Sequence, residues 1–326
     1  MDHVPVIDLA PARGGTPADR RRIAGLIDQA CVEIGFFAVT GHGVAESVCR
    51  DLREAAHQFF ALSPEAKRRA SPTDDRTPRG YHAPGGEALA AANDAVAPPD
   101  LKEFYHVGPV DVGADAYYTS PKGRQFFLPN IWAEPPGFRA AAITYYRAMH
   151  QLVGVLMRLT ALGLGIDETF FDDKVSRSIG TMRLNYYPRQ VLAPLAGQLR
   201  AGAHTDYGGL TILNGEDVPG GLQVWTRSGR WIDVRTPPEQ LVVNIGDLLM
   251  RWTNDRWLSN MHRVVNPPRE DGRNQPRLSI AFFNHPNWDV MIECVAPAGQ
   301  AKHAPVLSGD YRDLKYAKTG FATTTG

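Results

Sequence analysis

Cysteine is scarce in this chain. There are three, Cys31, Cys49 and Cys294. The number is odd and the spacing fits no ligand set, which argues against a disulfide framework or a zinc knuckle and makes a reducing cytosol the expected compartment. Net charge is absent too. Thirty-five Lys and Arg balance 35 Asp and Glu, so no overall field steers the chain toward nucleic acid or an anionic membrane. No apolar run approaches the roughly eighteen residues of a membrane span. The start, Met1-Asp2-His3-Val4-Pro5, lacks the basic-then-apolar pattern of a signal peptide. No internal repeat is present, and the only low-complexity run is Thr323-Thr324-Thr325. The clusters Arg20-Arg21-Arg22 and Lys67-Arg68-Arg69 read as solvated helix faces. These absences leave the expectation of a cytoplasmic monomer that acts on a small molecule, without nucleic acid or membrane as partner.

What is present allows one large domain or two ordinary ones, since 43% hydrophobic content over 326 residues supports a sizeable core. Val4–Leu9 reads as a strand. Ile23, Ile27, Ala30, Cys31 and Ile34 recur at helical spacing, and Gly35 stops that helix before the strand Phe36-Phe37-Ala38-Val39. A second helix runs from about Ala45 to Leu62. Ser63-Pro64-Glu65 has the form of a capped helix start. Residues 71–100 are rich in Pro, Gly, Ala and Asp and read as a long connection. A long amphipathic helix follows from about Gly137 to Gly165. From Ser178 onward, short β-branched and aromatic runs alternate with Gly, Pro, Asn and Asp. That texture predicts a sheet system, most simply a jelly roll or double-stranded β-helix. The expected fold is mostly β with flanking helices. An N-terminal α/β region (1–120) and a helical backing segment (121–177) precede the jelly-roll core (178–290) and a tail (291–326).

Three stretches carry chemistry. His204-Thr205-Asp206 and the later His262 form a 2-His-1-carboxylate set, which suits a non-heme Fe(II) and leaves coordination positions open. His and Asp two apart point the same way on an extended strand. Chance can also produce the pattern in a chain with ten histidines. On Thr181–Tyr187, alternation puts Thr181, Arg183, Asn185 and Tyr187 on one face, which reads either as a polar cavity wall or as an exposed surface. Arg277 and Ser279 share a face of the strand Arg277–Phe283. A guanidinium entering a barrel interior needs an anion, and its fork matches a carboxylate. A salt bridge within the protein would satisfy it equally.

Together, His204-Thr205-Asp206, His262 and Arg277-Leu278-Ser279 resemble the iron(II)/2-oxoglutarate-dependent dioxygenases. The likeness is to the branch that holds isopenicillin N synthase and the plant flavonoid and gibberellin oxidases. Further matching runs are Gly35-Phe36-Phe37 with Gly41-His42-Gly43-Val44, Arg79-Gly80-Tyr81, Asp100–Phe104, Asn130-Ile131-Trp132, Asn185–Pro188, Val218–Val224, Asn244–Asp247 and Trp252-Thr253-Asn254. The resemblance implies that His204, Asp206 and His262 hold iron. It also implies that Arg277 and Ser279 bind the far carboxylate of 2-oxoglutarate, assisted by Tyr187 and Asn185. Dioxygen would be the second co-substrate, and decarboxylation to succinate would accompany oxidation of an unactivated C–H bond. His42 resembles a structural turn of this family rather than a ligand.

For the prime substrate, the expected wall comprises Phe283, Phe104, Tyr105, Tyr81 and Trp132, with Arg183 as a possible carboxylate anchor. A compact, largely apolar molecule is expected. High Ala, Arg and Gly usage suggests bacterial secondary metabolism. Three alternatives stay open: an oxidase of the isopenicillin N synthase type that needs no 2-oxoglutarate, an ethylene-forming-type enzyme, and a jelly roll that binds without turnover.

Overall fold

The structure is a computed structural model that describes residues 2–74, 77–90, 98–269, 272–297 and 299–317. Part of the 71–100 connection and the Thr323–Thr325 run lie outside the described residues.

The first half contains β1 (Val6–Asp8), α1 (Ala10–Gly14), α2 (Pro17–Glu33), β2 (Phe36–Thr40), α3 (Glu46–Phe60) and α4 (Pro64–Arg68). It continues with β3 (Gly80–His82), β4 (Glu103–Val107), α5 (Ala116–Thr119), α6 (Pro121–Phe126), α7 (Phe138–Leu164) and α8 (Asp172–Val175). The second half holds β5 (Thr181–Tyr187), β6 (Ala201–His204), β7 (Leu210–Gly215), β8 (Leu222–Trp225), β9 (Trp231–Asp233) and β10 (Leu241–Ile245). It ends with α9 (Asp247–Trp252), β11 (His262–Val264), β12 (Arg277–Phe283), β13 (Met291–Ile292), β14 (Val306–Leu307) and α10 (Ser308–Ala317).

Local chemistry sets these boundaries. At α2, the Thr16 side chain accepts from the Asp19 amide while the Asp19 carboxylate accepts from the Thr16 amide, a reciprocal cap with Pro17 in the first turn. Gly35 ends the segment at φ +72°, where a Cβ would meet the Leu258 carbonyl oxygen at 2.1 Å, so only glycine fits. The Ser63 hydroxyl accepts from the Ala66 amide at 3.2 Å and caps α4 as the sequence predicts. His42 Nδ1 accepts from the Val44 amide in a turn flanked by Gly41 and Gly43, both at positive φ.

Eight strands form one sheet in the order β1-β2-β10-β7-β12-β5-β4-β3, and four form a second, β6-β11-β8-β9. These sheets are the walls of a jelly-roll core. The N-terminal strands β1 to β4 belong to the larger sheet, so the first hundred residues share the site's scaffold. Alternation along β12 sends Leu278, Ile280 and Phe282 outward to α7, where Phe282 meets Tyr146 with ring centroids 4.9 Å apart. Tyr145, Met149, Leu152, Val153 and Leu156 of α7 are buried at helical spacing in the same core. Burial at roughly 1.5–3 kcal/mol for each large apolar side chain holds the helix there. The opposite face of β12 is left for chemistry.

One surface expectation fails. Lys67 is buried and its Nζ lies 2.7 Å from Glu103 Oε2, beside the Tyr81 hydroxyl, which donates to the same oxygen at 2.6 Å. A charge cluster in sequence does not show which of its members turns inward to a carboxylate.

Candidate metal and co-substrate site

His204 ends β6, and His262 opens β11. The two strands are antiparallel neighbours that pair these residues directly. The imidazole centroids are 4.3 Å apart. Asp206 stands in the turn just beyond β6 rather than on the strand, so strand alternation is not what aims it. Its placement comes from its partners. The Thr211 hydroxyl and the Asn244 amide donate to Asp206 Oδ2 at 2.6 and 2.7 Å. The Asp247 amide donates to the Asp206 carbonyl at 2.7 Å. Gly246 makes that approach possible, since a Cβ there would meet the Gly208 carbonyl oxygen at 2.4 Å.

These contacts leave a defined set of free ligand atoms. His204 Nδ1 is 2.7 Å from the Gly202 carbonyl, and His262 Nδ1 is 3.1 Å from the Asn260 carbonyl. Each carbonyl accepts an N–H, which fixes the tautomer and leaves Nε2 with its lone pair. Asp206 Oδ1 remains open and lies 3.8 Å from His262 Nε2. One donor atom from each residue falls within 4.8 Å of the others. Burial and the neighbouring His262 push His204 down to about 3. Burial alone would raise Asp206, but His262, His204 and the Asn244 and Thr211 hydrogen bonds hold it below the usual carboxylate range. Imidazole nitrogens with a free lone pair beside an ionised carboxylate form the donor set a divalent cation requires. These residues fit a resident metal.

The support of Asp206 gives a testable outcome. Asn244→Ala removes one hydrogen bond from the candidate ligand carboxylate of Asp206 and is expected to lower Fe(II) affinity by about 10–100-fold. Anaerobic iron titration checks this, and an unchanged affinity removes Asn244 from the site's machinery.

β12 and β5 are paired so that Arg277 stands opposite Tyr187 and Ser279 opposite Asn185. All four line one cavity with the metal set. Arg277 is 1% exposed. Its Nε donates to the Glu216 carbonyl at 3.0 Å, while Nη1 has no partner among the described residues. Burial lowers its pKa, which states the cost of holding an unmatched charge there. A carboxylate delivered from outside would remove that cost.

The cavity measures about 120 Å³ and draws on both sheets. That size admits a small molecule. Of the expected substrate wall, Phe283 and Arg183 line it; Tyr81, Tyr105, Phe104 and Trp132 do not. Tyr81 and Tyr105 face each other across the β3–β4 pair on the outer side, packed on Phe59 with centroids 5.7 and 5.0 Å away. Phe104 is on the inner side but sits behind Arg183, whose Cζ is 4.4 Å above its ring, and stacks on His82. Trp132 is part-buried under Arg139. Alternation on β4 explains the division, because Tyr105 points opposite to Phe104 and His106.

One side of the cavity carries a network of charged groups. Arg183 Nη1 donates to both Glu87 oxygens at 2.9 and 3.0 Å. Lys102 Nζ lies 2.7 Å from Glu87 Oε2 and 3.2 Å from Asp100 Oδ2. These two cations and two anions balance, so the charge of Arg183 is already matched within the protein. His106, His285 and Tyr316 complete this side. None of Glu87, Lys102, His106, His285 and Tyr316 follows from the sequence reading. Alternation on β4 points to His106, and Lys102 lies just before that strand. Tyr316 comes from α10, in a tail that gave no functional signal.

Comparison with known proteins agrees with this geometry. Residues 4–135 match the family model described as the non-haem dioxygenase in morphine synthesis N-terminal region, and residues 178–286 match the 2OG-Fe(II) oxygenase superfamily. A 2-oxoglutarate-Fe(II) type oxidoreductase of Emericella nidulans is 34% identical over 94% of this chain and 87% of its own. The validamycin A dioxygenase of Streptomyces hygroscopicus is 30% identical over 94% and 83%. The crystal structure of a full-length Neurospora crassa protein in complex with alpha-KG superposes with a TM-score of 0.84 at 32% identity, covering 96% of this chain and 95% of that one.

Proposed function

This chain belongs to the 2OG-Fe(II) oxygenase superfamily, and from that premise we propose that it hydroxylates an unactivated C–H bond of a small molecule, with desaturation as the variant outcome, in bacterial secondary metabolism. It is a 2-oxoglutarate-dependent dioxygenase that acts on small molecules. The carrying observation is the set of three free donor atoms on His204, Asp206 and His262, held open by contacts that occupy every other ligand atom of those side chains.

In this reading, His204 and His262 through Nε2 and Asp206 through Oδ1 hold Fe(II). When bound, the iron would supply the oxidising chemistry, with 2-oxoglutarate and dioxygen as co-substrates. The chain's own task is placement. Arg277 meets the far carboxylate of 2-oxoglutarate with its open Nη1, and Ser279 adds a hydroxyl from the same face. Tyr187 and Asn185 flank it from the paired strand. This pairing favours 2-oxoglutarate use over the oxidase alternative. The relatives support a small-molecule substrate, since their names include homoarginine-6-hydroxylase, proline hydroxylase and validamycin A dioxygenase. Aerobic incubation with Fe(II) and 2-oxoglutarate tests the reading through succinate release. Turnover that proceeds equally without 2-oxoglutarate would hand the site to the oxidase alternative.

Phe283 adds a prediction. It ends the strand that begins with Arg277, and Arg183 Cζ stands 6.0 Å from its ring. Truncation opens space on the substrate side and leaves the Arg277 end untouched. Phe283→Ala therefore consumes more 2-oxoglutarate per product formed, with little change in affinity for 2-oxoglutarate. A ratio of succinate to product that stays near that of the wild type would place Phe283 in the passive wall.

A further inference from the structure

Arg312 of α10 is 3% exposed, yet it makes no hydrogen bond or ion pair among the described residues. Asp313, its neighbour in sequence, is bound to Lys122 instead, at 3.0 Å. The guanidinium carbon lies 4.2 Å from the Phe126 ring centroid and 5.1 Å from that of Tyr316. Tyr316, four residues on and so on the same helix face, lines the cavity. The neighbouring buried cations are provided for. Arg183 and Lys102 are matched by Glu87 and Asp100. Arg79 donates to the carbonyls of Pro78, Phe126 and Leu128. Stacking on two rings offsets only part of the cost of burying an unpaired guanidinium.

Two further groups are short of partners in the same place. His106 lines the cavity from β4, is 1% exposed, and has no partner at either ring nitrogen among the described residues. His285, just past β12, is 3% exposed and lacks a partner at Nδ1 among them. Burial first, then Arg183 for His106 and Arg312 for His285, keeps both imidazoles neutral and able to donate one N–H. This cluster is separate from the co-substrate anchor. Arg277 and Phe283 mark the two ends of β12, about 20 Å apart at ~3.3 Å per residue, and His285 lies beyond the Phe283 end.

We propose that the prime substrate is an organic carboxylate, and that Arg312, with N–H groups from His106 and His285, binds its carboxylate at the α10 end of the cavity. The proposal rests on the oxygenase reading and narrows its substrate class. A single guanidinium with open donors fits one carboxylate in a two-point contact. A fully ionised phosphate would bring a second negative charge that nothing here meets. Arg312 is not itself among the lining residues, so the carboxylate would reach it beside Tyr316, the α10 residue that lines the cavity. That helix is fastened to the metal side of the cavity by Lys315, whose Nζ lies 2.6 Å from Asp247 Oδ2, beside the Asp247 amide that donates to Asp206.

The test uses full-length protein with Fe(II) and 2-oxoglutarate under nitrogen and measures binding by calorimetry. The probes are matched pairs: phenylacetate and phenylacetamide, indole-3-acetate and its amide, L-proline and L-prolinamide. Acids bind more tightly than their amides, by about ten- to hundredfold for the best-fitting pair. Arg312→Gln removes the difference and Arg312→Lys keeps part of it, with 2-oxoglutarate affinity checking that each variant is folded. Amides that match or exceed their acids in every pair overturn the proposal. A second readout needs no substrate. With its charge unmatched, Arg312→Met raises the melting temperature of the substrate-free protein, whereas a guanidinium that serves only to stack would make that variant melt lower or fail to fold. If the wild type does not bind 2-oxoglutarate, the oxygenase reading itself falls. If it does and the pairs do not differ, only the carboxylate assignment falls.

Discussion

His262→Ala yields a folded protein that neither retains Fe(II) nor turns over. The side chain is 7% exposed and packs edge-on against Phe36 with centroids 5.4 Å apart, but one side already borders the cavity. Truncation therefore enlarges an existing space, at a cost within the ordinary 0.5–3 kcal/mol of single substitutions. The loss of function is far larger. Removing a supporting hydrogen bond from a ligand already costs roughly 10–100-fold in metal affinity, and removing one of three ligand atoms exceeds that. Circular dichroism and metal analysis after anaerobic loading measure the two halves of the claim. A variant with full iron content and full activity would exclude His262 from the ligand set.

Arg277→Ala raises the 2-oxoglutarate requirement by one to several powers of ten. A hydrogen bond to a charged group contributes about 1.5–3 kcal/mol, and each 1.4 kcal/mol corresponds to about tenfold in affinity. The open Nη1 is the group at stake. Arg277→Lys rescues poorly for two reasons. An ammonium lacks the planar fork, and it cannot reproduce the Nε donation to the Glu216 carbonyl that orients the guanidinium. Glu216 is itself fixed, since its Oε2 accepts from the Leu278 amide at 2.7 Å and its Oε1 meets His57. Iron affinity without 2-oxoglutarate stays near that of the wild type. A variant that needs no more 2-oxoglutarate than the wild type would leave Arg277 a purely structural cation.

The candidate ligand and co-substrate residues are legible in the sequence because strand alternation and residue chemistry group them, and the structure brings them to one cavity. Arg277, Ser279, Asn185 and Tyr187 were grouped by alternation on two separate strands, and the β5–β12 register sets them directly opposite one another. Asp206 is legible as a candidate ligand but not in its geometry, because the turn after β6 is shaped by contacts with Thr211, Asn244 and Asp247. The substrate side was read poorly for a related reason. Tyr81 and Tyr105 stand out as aromatic residues, but aromatic character says nothing about which face of β3 or β4 points inward. His106 occupies that inward face, and Lys102 lines the cavity from just before the strand. Glu87 and Tyr316 reach the cavity from a long connection and a terminal helix, where no periodicity announces direction. Arg312 was invisible for the same reason, since its importance lies in partners that are missing, and a sequence cannot show an absence of contact.

The central claim is that His204, Asp206, His262 and Arg277 form one site in which metal and co-substrate bind together. The most direct measurement is calorimetric titration of 2-oxoglutarate under nitrogen, with and without Fe(II). One 2-oxoglutarate per chain binds once one Fe(II) per chain is in place, and its affinity falls sharply when the iron is withheld. Binding of equal strength in the metal-free protein, or no binding in the iron-loaded one, would contradict the account.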